Sequence, residues 1–229
     1  FNKKNYLKIF FINKNLKKYF KILKNVPSIV LDDATNYLDF KKKVKTLNNS
    51  CAYSGSLTKG KGFDFIIKLA ENIKHVDFHI YGEKRTYQGN LSKLKKIKNL
   101  KIHGAIDYKD IPVALKKNKI LIMPYNKVSF GRSKNVNLSK YMSPLKLFDY
   151  LACGRIIIAS KLPVYTHILK HNFNSFIINR LNISVWKKKI ENTLKNYNKY
   201  YQIRYNAIKT SKNFTWEMRV KKINLFNEK

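Results

Sequence analysis

Apolar residues in this chain gather in short blocks, and the polar stretches between them carry apolar residues at helical spacing. Residues 7–12 predict a short strand, and 14–23 a lysine-rich helix with Leu16, Tyr19, Phe20 and Leu23 on one side. Residues 26–33 predict a second strand running into a turn, and the polar stretch 41–50 reads as a linker. A strand at 51–54, a glycine-rich turn at 55–62 and a helix over 63–72 follow. The alternation continues with a strand at 76–81 ending at Gly82, a basic helix at 91–97 and a strand at 100–103 ending at Gly104. A helix at 111–118, opened by the acidic stretch 107–110, leads to a strand at 120–124. Residues 126–142 form a polar loop without periodicity, and loops of that length inside a domain usually serve function. A strand at 156–159, a short helix at 165–170 and a strand at 175–178 come next, and two helices, 183–200 and 214–226, close the chain.

Strands alternating with helices of about ten residues imply an α/β fold, with a Rossmann-like parallel sheet and helices on both faces. In such a sheet ligands bind beyond the carboxyl ends of the strands. The segments 55–62, 82–87, 125–142 and 143–146 all fall at such ends, so they should converge on one crevice.

The most informative stretch is Ser-Pro-Leu-Lys-Leu-Phe-Asp-Tyr-Leu-Ala-Cys-Gly-Arg-Ile-Ile-Ile-Ala-Ser, residues 143–160. Leu145, Phe148, Leu151 and Ala152 recur as the inward face of a helix. Ser143 suits the N-cap, Pro144 the first helical position and Gly154 the C′ stop, while 156–159 is a continuous apolar run typical of a doubly covered strand. Lys146 and Asp149 interrupt the apolar pattern one turn apart, near the helix start. They read either as a surface ion pair or as an anion site with a hydroxyl acceptor beside it. The turn at 55–62 is likewise either an ordinary strand-to-helix turn that needs small residues or a phosphate cradle. It matches neither the Walker pattern nor Gly-x-Gly-x-x-Gly.

Residues 143–163, "SPLKLFDYLACGRIIIASKLP", resemble the donor-binding helix of GT-B glycosyltransferases, especially the retaining ones that make bacterial surface polysaccharides. The turn at 55–62 is similar to the "G-(R/S)-L-x-x-x-K-G" turn of the same enzymes, with Lys61 and Gly62 at the Lys-Gly and Ser56 where many members have Arg. "FFINKNLKKYF…VPSIVLDDATNYLDF" is similar to the end of a GT-B amino-terminal domain and the crossing into the second. "FTWEMRVKKINLF" resembles the Trp-bearing element that ends many such chains, where Trp216 reads as a packing anchor. The resemblance spans about residues 8–226.

It implies residues 1–26 as the end of an acceptor domain, 27–50 as an interdomain linker, 51–182 as a nucleotide-sugar-binding domain and 183–229 as helices packing back on both. It further implies a UDP- or GDP-sugar donor and a glycan or lipid-linked acceptor. The donor diphosphate would meet Gly55, Ser56, Lys61 and Lys146, with Met142, Ser143, Pro144 and Leu145 as the donor sugar and phosphate loop. Asp149 would accept the ribose hydroxyls, where the family usually has Glu, and Gly82 and Tyr125 would lie near the nucleobase. Tyr141 stands where the family often has a second Glu facing the sugar. No catalytic side chain is assigned. The family needs no cofactor or catalytic metal, because the helix dipole and basic side chains stabilise the leaving diphosphate. The chain begins at Phe1, which reads as a fragment or processed product whose acceptor domain lies elsewhere, in a separate chain if need be.

Composition adds one feature that misleads. The formal charge is +35, ordinarily a sign of nucleic acid or anionic membrane. Only six of the 48 basic residues are Arg, however, and Asn reaches 26. Lys, Asn, Ile, Tyr and Phe are inflated together, as AT-rich coding would produce, and the lysines are spread along the whole chain. A dedicated nucleic-acid binder would use more Arg for its bidentate fork, so no specific nucleic acid is expected. A role at an anionic membrane surface fits the charge as a by-product. No apolar run spans a bilayer, and Cys51 and Cys153 read as buried thiols of a reducing compartment. Together these place the protein in the cytoplasm, peripheral to the inner face of the membrane. The alternatives are a basic Rossmann-like module that binds nucleic acid or anionic membrane without catalysis and, more remotely, nucleotide-sugar epimerisation on the same scaffold.

Overall fold

The computed structural model describes residues 7–20, 25–58, 60–128 and 137–228. Two parallel sheets organise it. The smaller pairs β1 (Ile9–Phe11) with β2 (Ser28–Val30), joined by α1 (Lys14–Tyr19). Its core is slight: Phe11 and Val26 are buried, with Leu16, Phe20 and Val30 packed around them. The strand expected within 26–33 is present over residues 28–30. The expected helix 14–23 ends at Tyr19, and residues 21–24 lie outside the described residues.

The larger sheet holds six parallel strands: β3 (Ser50–Ser54), β4 (Asp77–Tyr81), β5 (Leu100–Gly104), β6 (Ile120–Met123), β7 (Ile156–Ser160) and β8 (Phe176–Ile178). Their spatial order is β5-β4-β3-β6-β7-β8, so the chain steps outward one way from β3, returns, and steps outward the other way from β6. The direction of the chain switches between β3 and β6, and at such a switch parallel α/β sheets bind ligands beyond the carboxyl ends of the strands. The helices α2 (Phe63–Asn72), α3 (Leu91–Leu94), α4 (Ile111–Lys116), α5 (Leu145–Cys153), α6 (Ile183–Lys195), α7 (Tyr201–Ser211) and α8 (Trp216–Asn227) complete the fold.

Side chains alternate along each strand, so the sheet feeds two cores. Cys51, Tyr53, Ile120, Ile122, Ile156 and Ile158 face one layer, which includes α2 and α6. Ala52, Leu121, Met123, Ile157 and Ala159 face the other, which includes α4 and α5. The continuous apolar run at β7 is buried throughout, as a doubly covered strand requires.

Three helix expectations change. Pro144, not Ser143, is the N-cap of α5, and Leu145 is 54% exposed where an inward position was expected. The inward face instead widens to Leu147–Cys153, all buried, because α7 covers the side that the sheet leaves open. Residues 163–168 form successive turns, where the backbone N–H of Leu169 bonds to the Tyr165 carbonyl without continuing into a helix. Three helices close the chain instead of two. Ile203, Ala207 and Ser211 bury a narrow stripe of mostly small residues against the core, and no glycine or proline separates α6 from α7, so the break was not visible in the pattern.

Candidate functional site

The crevice is built first by glycines. Gly55 follows β3 at φ +122° and donates its N–H to the Tyr81 carbonyl at 2.8 Å. A Cβ on Gly82, at the end of β4, would lie 2.2 Å from the Gly55 carbonyl oxygen, so the two backbones touch. Gly62 caps α2 at φ +88°, and a Cβ there would lie 1.9 Å from the Pro124 carbonyl. This glycine is thus required by the approach of α2 to the end of β6, whatever else binds nearby. Residue 59 of this turn lies outside the described residues.

Two lysines enter this glycine-lined space. Lys61 Nζ donates to Ser56 Oγ at 2.8 Å, so Ser56 occupies the Arg position of the resembled motif as a partner for the neighbouring cation. Lys146 reaches in from the first turn of α5. Its Nζ is fully enclosed and has no hydrogen-bond partner among the described residues. It lies 3.6 Å from the ring centroid of Tyr53 and 5.4 Å from that of Tyr125. A Cβ at Gly55 would stand 2.8 Å from this Nζ, so Gly55 leaves the room that the ammonium fills. Burial holds Lys146 well below the ordinary lysine range, and the nearby Lys61 charge adds to the effect. Burial lowers Lys61 as well. A cation over an aromatic face gains something from the ring, yet far less than desolvation of an unpaired ammonium costs. The arrangement is one that an anion would complete.

Asp149 sits one turn further along α5, 7% exposed. Thr35 Oγ1 donates to its Oδ1 at 2.7 Å and the Tyr108 hydroxyl to the same oxygen at 3.1 Å. Burial raises the carboxyl above the ordinary range, while these two donors pull the other way and Asp39 adds to the rise. Tyr108 is pushed up to about 12 by its own burial and by the Asp149 charge. Lys146 and Asp149, one turn apart in sequence, therefore form no ion pair with each other among the described residues.

The loop before α5 is tied down from two sides. Asn13, the N-cap of α1, donates through Nδ2 to the carbonyls of Tyr141 and Met142 while its Oδ1 accepts from Leu16 N–H. The Asp33 N–H donates to Ser143 Oγ at 3.3 Å, so the Ser143 side chain holds the linker instead of the helix start. Tyr141 packs edge-on against Tyr19 at 5.3 Å. Residues 129–136 of the expected long loop lie outside the described residues.

Gly55, Ser56, Lys61, Gly82, Tyr125 and Lys146 converge as expected from the sequence, but Tyr125 changes place within the site. It is 3% exposed and turns its ring toward Lys146 Nζ, so it supports the cation and presents no open face on which a base could stack. Trp216 is 40% exposed and packs with Arg219 above its ring, so its anchoring is partial. Residues that the sequence did not single out also build the site. Tyr53 donates its hydroxyl to the Ser56 carbonyl, and Tyr150 accepts the Ser54 N–H, each from full burial. Tyr150 alone could have been suspected, from its place in the 143–160 stretch. Thr35, Tyr108 and Asn13 carry no motif. Among the described residues no three His, Cys, Asp or Glu side chains are grouped so as to hold a metal ion, and both cysteines are free and buried. No helix among them is long and apolar enough to cross a membrane.

Curated proteins give no significant sequence match. The fold is shared with a glycosyltransferase from Rickettsia africae at TM-score 0.73 and 16% identity, covering 99% of this chain and 66% of that one. It is shared with a sucrose-phosphate synthase from Thermosynechococcus elongatus at TM-score 0.73 and 13% identity, covering 96% of this chain and 58% of that one. HepE from Anabaena, solved with UDP and glucose, matches at TM-score 0.73 and 16% identity over 97% of this chain and 63% of its own. The chain thus spans less than two thirds of these proteins, and at such identities the likeness establishes the fold. The sequence profile described as "Glycosyl transferases group 1" matches residues 37–210, which include the glycine turn, both crevice lysines and Asp149, and the chain belongs to that family.

Proposed function

We propose that this chain is the donor-binding part of a glycosyltransferase that takes a sugar from a UDP- or GDP-sugar and passes it to a glycan or lipid-linked acceptor in surface polysaccharide synthesis. The observation that carries the reading is Lys146 Nζ, enclosed and unpartnered beside Lys61, at the carboxyl ends of strands whose glycines bring the backbone close. A diphosphate supplies the counter-charge that this pair lacks, and Asp149 supplies the acceptor for ribose hydroxyls. HepE, solved with UDP and glucose, shares the fold and supports a uridine donor as the first to test.

In the transfer, the bond from the sugar's anomeric carbon to the diphosphate oxygen breaks as an acceptor hydroxyl forms the new bond. Charge builds on the departing diphosphate, where Lys61 and Lys146 meet it. The reading invokes no catalytic metal. Acceptor recognition and the removal of the acceptor's proton fall to a further domain or a separate chain. The small β1–β2 sheet is the side of the molecule on which that domain would join. The cytoplasm, at the inner membrane face, is where such donors and the chain's positive charge fit together.

The test is calorimetric titration of the chain with UDP, GDP and a short DNA duplex at low and moderate salt. Saturable UDP or GDP binding, lost in Asp149→Ala and Lys61→Ala, supports the donor site and names the base. DNA binding that collapses with salt and survives both substitutions, with no nucleotide heat, sinks it in favour of a basic scaffold.

A further inference from the structure

The segment that crosses between the two sheets does more than connect them. Thr35 is fully buried although it lies in a stretch without regular structure. Its N–H donates to the Phe214 carbonyl at 3.0 Å, and it forms a parallel bridge with Thr215, the residue whose Oγ1 caps α8. Two residues earlier, Asp33 N–H reaches Ser143 Oγ. Arg219 of α8 donates to the carbonyls of Leu31 and Asp32. The backbone at 31–35 is therefore gripped by α8 on one side and by the start of α5 on the other, and the Thr35 hydroxyl is delivered to Asp149 from a fixed position.

Both donors to Asp149, Thr35 Oγ1 and the Tyr108 hydroxyl, arrive on Oδ1. A carboxylate held this way cannot rotate to present either oxygen at random, and no hydrogen bond from the described residues occupies Oδ2. We infer that Thr35 and Tyr108 are positioning residues for ribose recognition, clamping Oδ1 of Asp149 so that Oδ2 receives the donor hydroxyls. The inference rests on the donor-site reading above. It ties a crossing segment that touches no substrate to selectivity for ribose. It also predicts a pH effect, because both hydrogen bonds favour the ionised carboxyl against its burial. The charged or titratable groups facing it are Asp39, from the turn at Tyr37–Phe40, Tyr108, and Cys153 one turn along α5.

The experiment compares wild type, Thr35→Val, Thr35→Ser, Tyr108→Phe and Asp149→Asn, each checked for native circular dichroism. Each is titrated with whichever of UDP and GDP binds and with its 2′-deoxy form, and the Asp149 carboxyl carbon is followed by NMR against pH. Thr35→Val should weaken ribonucleotide binding on the order of tenfold, leave the 2′-deoxy form nearly unchanged, and move the Asp149 titration to higher pH. Tyr108→Phe should do the same to a lesser degree, and Thr35→Ser should restore both readouts. Wild type that discriminates ribose through Asp149 while Thr35→Val keeps full affinity, selectivity and an unmoved titration overturns this inference alone. Wild type that binds neither nucleotide overturns the donor-site reading and this inference with it.

Discussion

Lys146 and the lysines around α3 place the same side chain in opposite surroundings. Lys95, Lys96 and Lys98 stand exposed on the outer edge of the molecule, where water screens them. Lys146 is drawn in between β3 and β6, against two aromatic rings and without a hydrogen-bond partner among the described residues. Exposed lysines such as these three say little about function, since a solvated cation costs almost nothing to keep. The enclosed one is costly to keep, so its persistence in the fold is the informative fact. Cost of desolvation, not number of charges, separates the site from the shell.

The largest effect that would test this contrast lies in the wall of the crevice. Gly62→Ala should destabilise the protein by about 3 kcal/mol or more in denaturant unfolding, because the new Cβ meets the Pro124 carbonyl in a left-handed conformation. A loss below about 1 kcal/mol would mean that the approach of α2 to the end of β6 yields, and that Gly62 is not required by it.

Lys146→Met comes next and should divide stability from binding. Diphosphate affinity should fall on the order of a hundredfold, whereas the empty protein should gain about 1–3 kcal/mol near neutral pH. That gain should shrink as the pH rises. Between the lowered folded-state value of Lys146 and the ordinary unfolded value of about 10.4, the unfolded chain holds a proton that the folded chain lacks, so wild-type stability climbs through this window. Above it the lysine is neutral in both states and the two proteins converge. A variant that is less stable than wild type at every pH would show that Lys146 is a packing residue, no different in kind from a core methionine.

A smaller effect is in the pH dependence of binding. A diphosphate restores the proton to Lys146, so affinity should fall by up to about tenfold per unit as the pH rises above the free-state value of that lysine. The slope should be absent in Lys146→Met, as titration calorimetry in buffers of different ionisation heat would show. The smallest change is expected for Lys95→Gln, Lys96→Gln and Lys98→Gln combined: stability within about 0.5 kcal/mol and an unaltered nucleotide affinity at moderate salt. A nucleotide affinity that dropped with these distant charges would erase the distinction between shell and site.

Much of this was legible in the sequence because it depends on period and punctuation. The helix Phe63–Asn72 was read at its observed bounds, since its apolar residues keep a single clear face between Gly62 and the turn before β4. The end of α5 at Gly154 was legible for the same reason: φ +60° is available to glycine at little cost. Its beginning was not, because Ser143 has two uses for its hydroxyl and only the fold shows that Asp33 claims it. The helix Tyr201–Ser211 escaped notice because half its meaning lies in α5. Ile208 occupies the space beside Gly154, where a Cβ would lie 2.5 Å from its Cδ1.

The site divides in the same way. Lys61, Lys146 and the glycines were visible as residue types at particular spacings within a strand–turn–helix alternation, and the alternation by itself dictates that they meet at the carboxyl ends of the strands, while Asp149 was visible only as a carboxylate one turn beyond Lys146. Whether Lys146 faced water or the crevice, and whether it paired with Asp149, could not be read from a three-residue spacing, because either arrangement fits one helical face. That was decided by what α5 packs against. The ring of Tyr53 from β3 takes the lysine, and Thr35, 114 residues away in sequence, takes the carboxylate. Periodicity determines which residues share a face, but the electrostatic surroundings of that face come from elements distant in sequence, and only the tertiary structure brings those together.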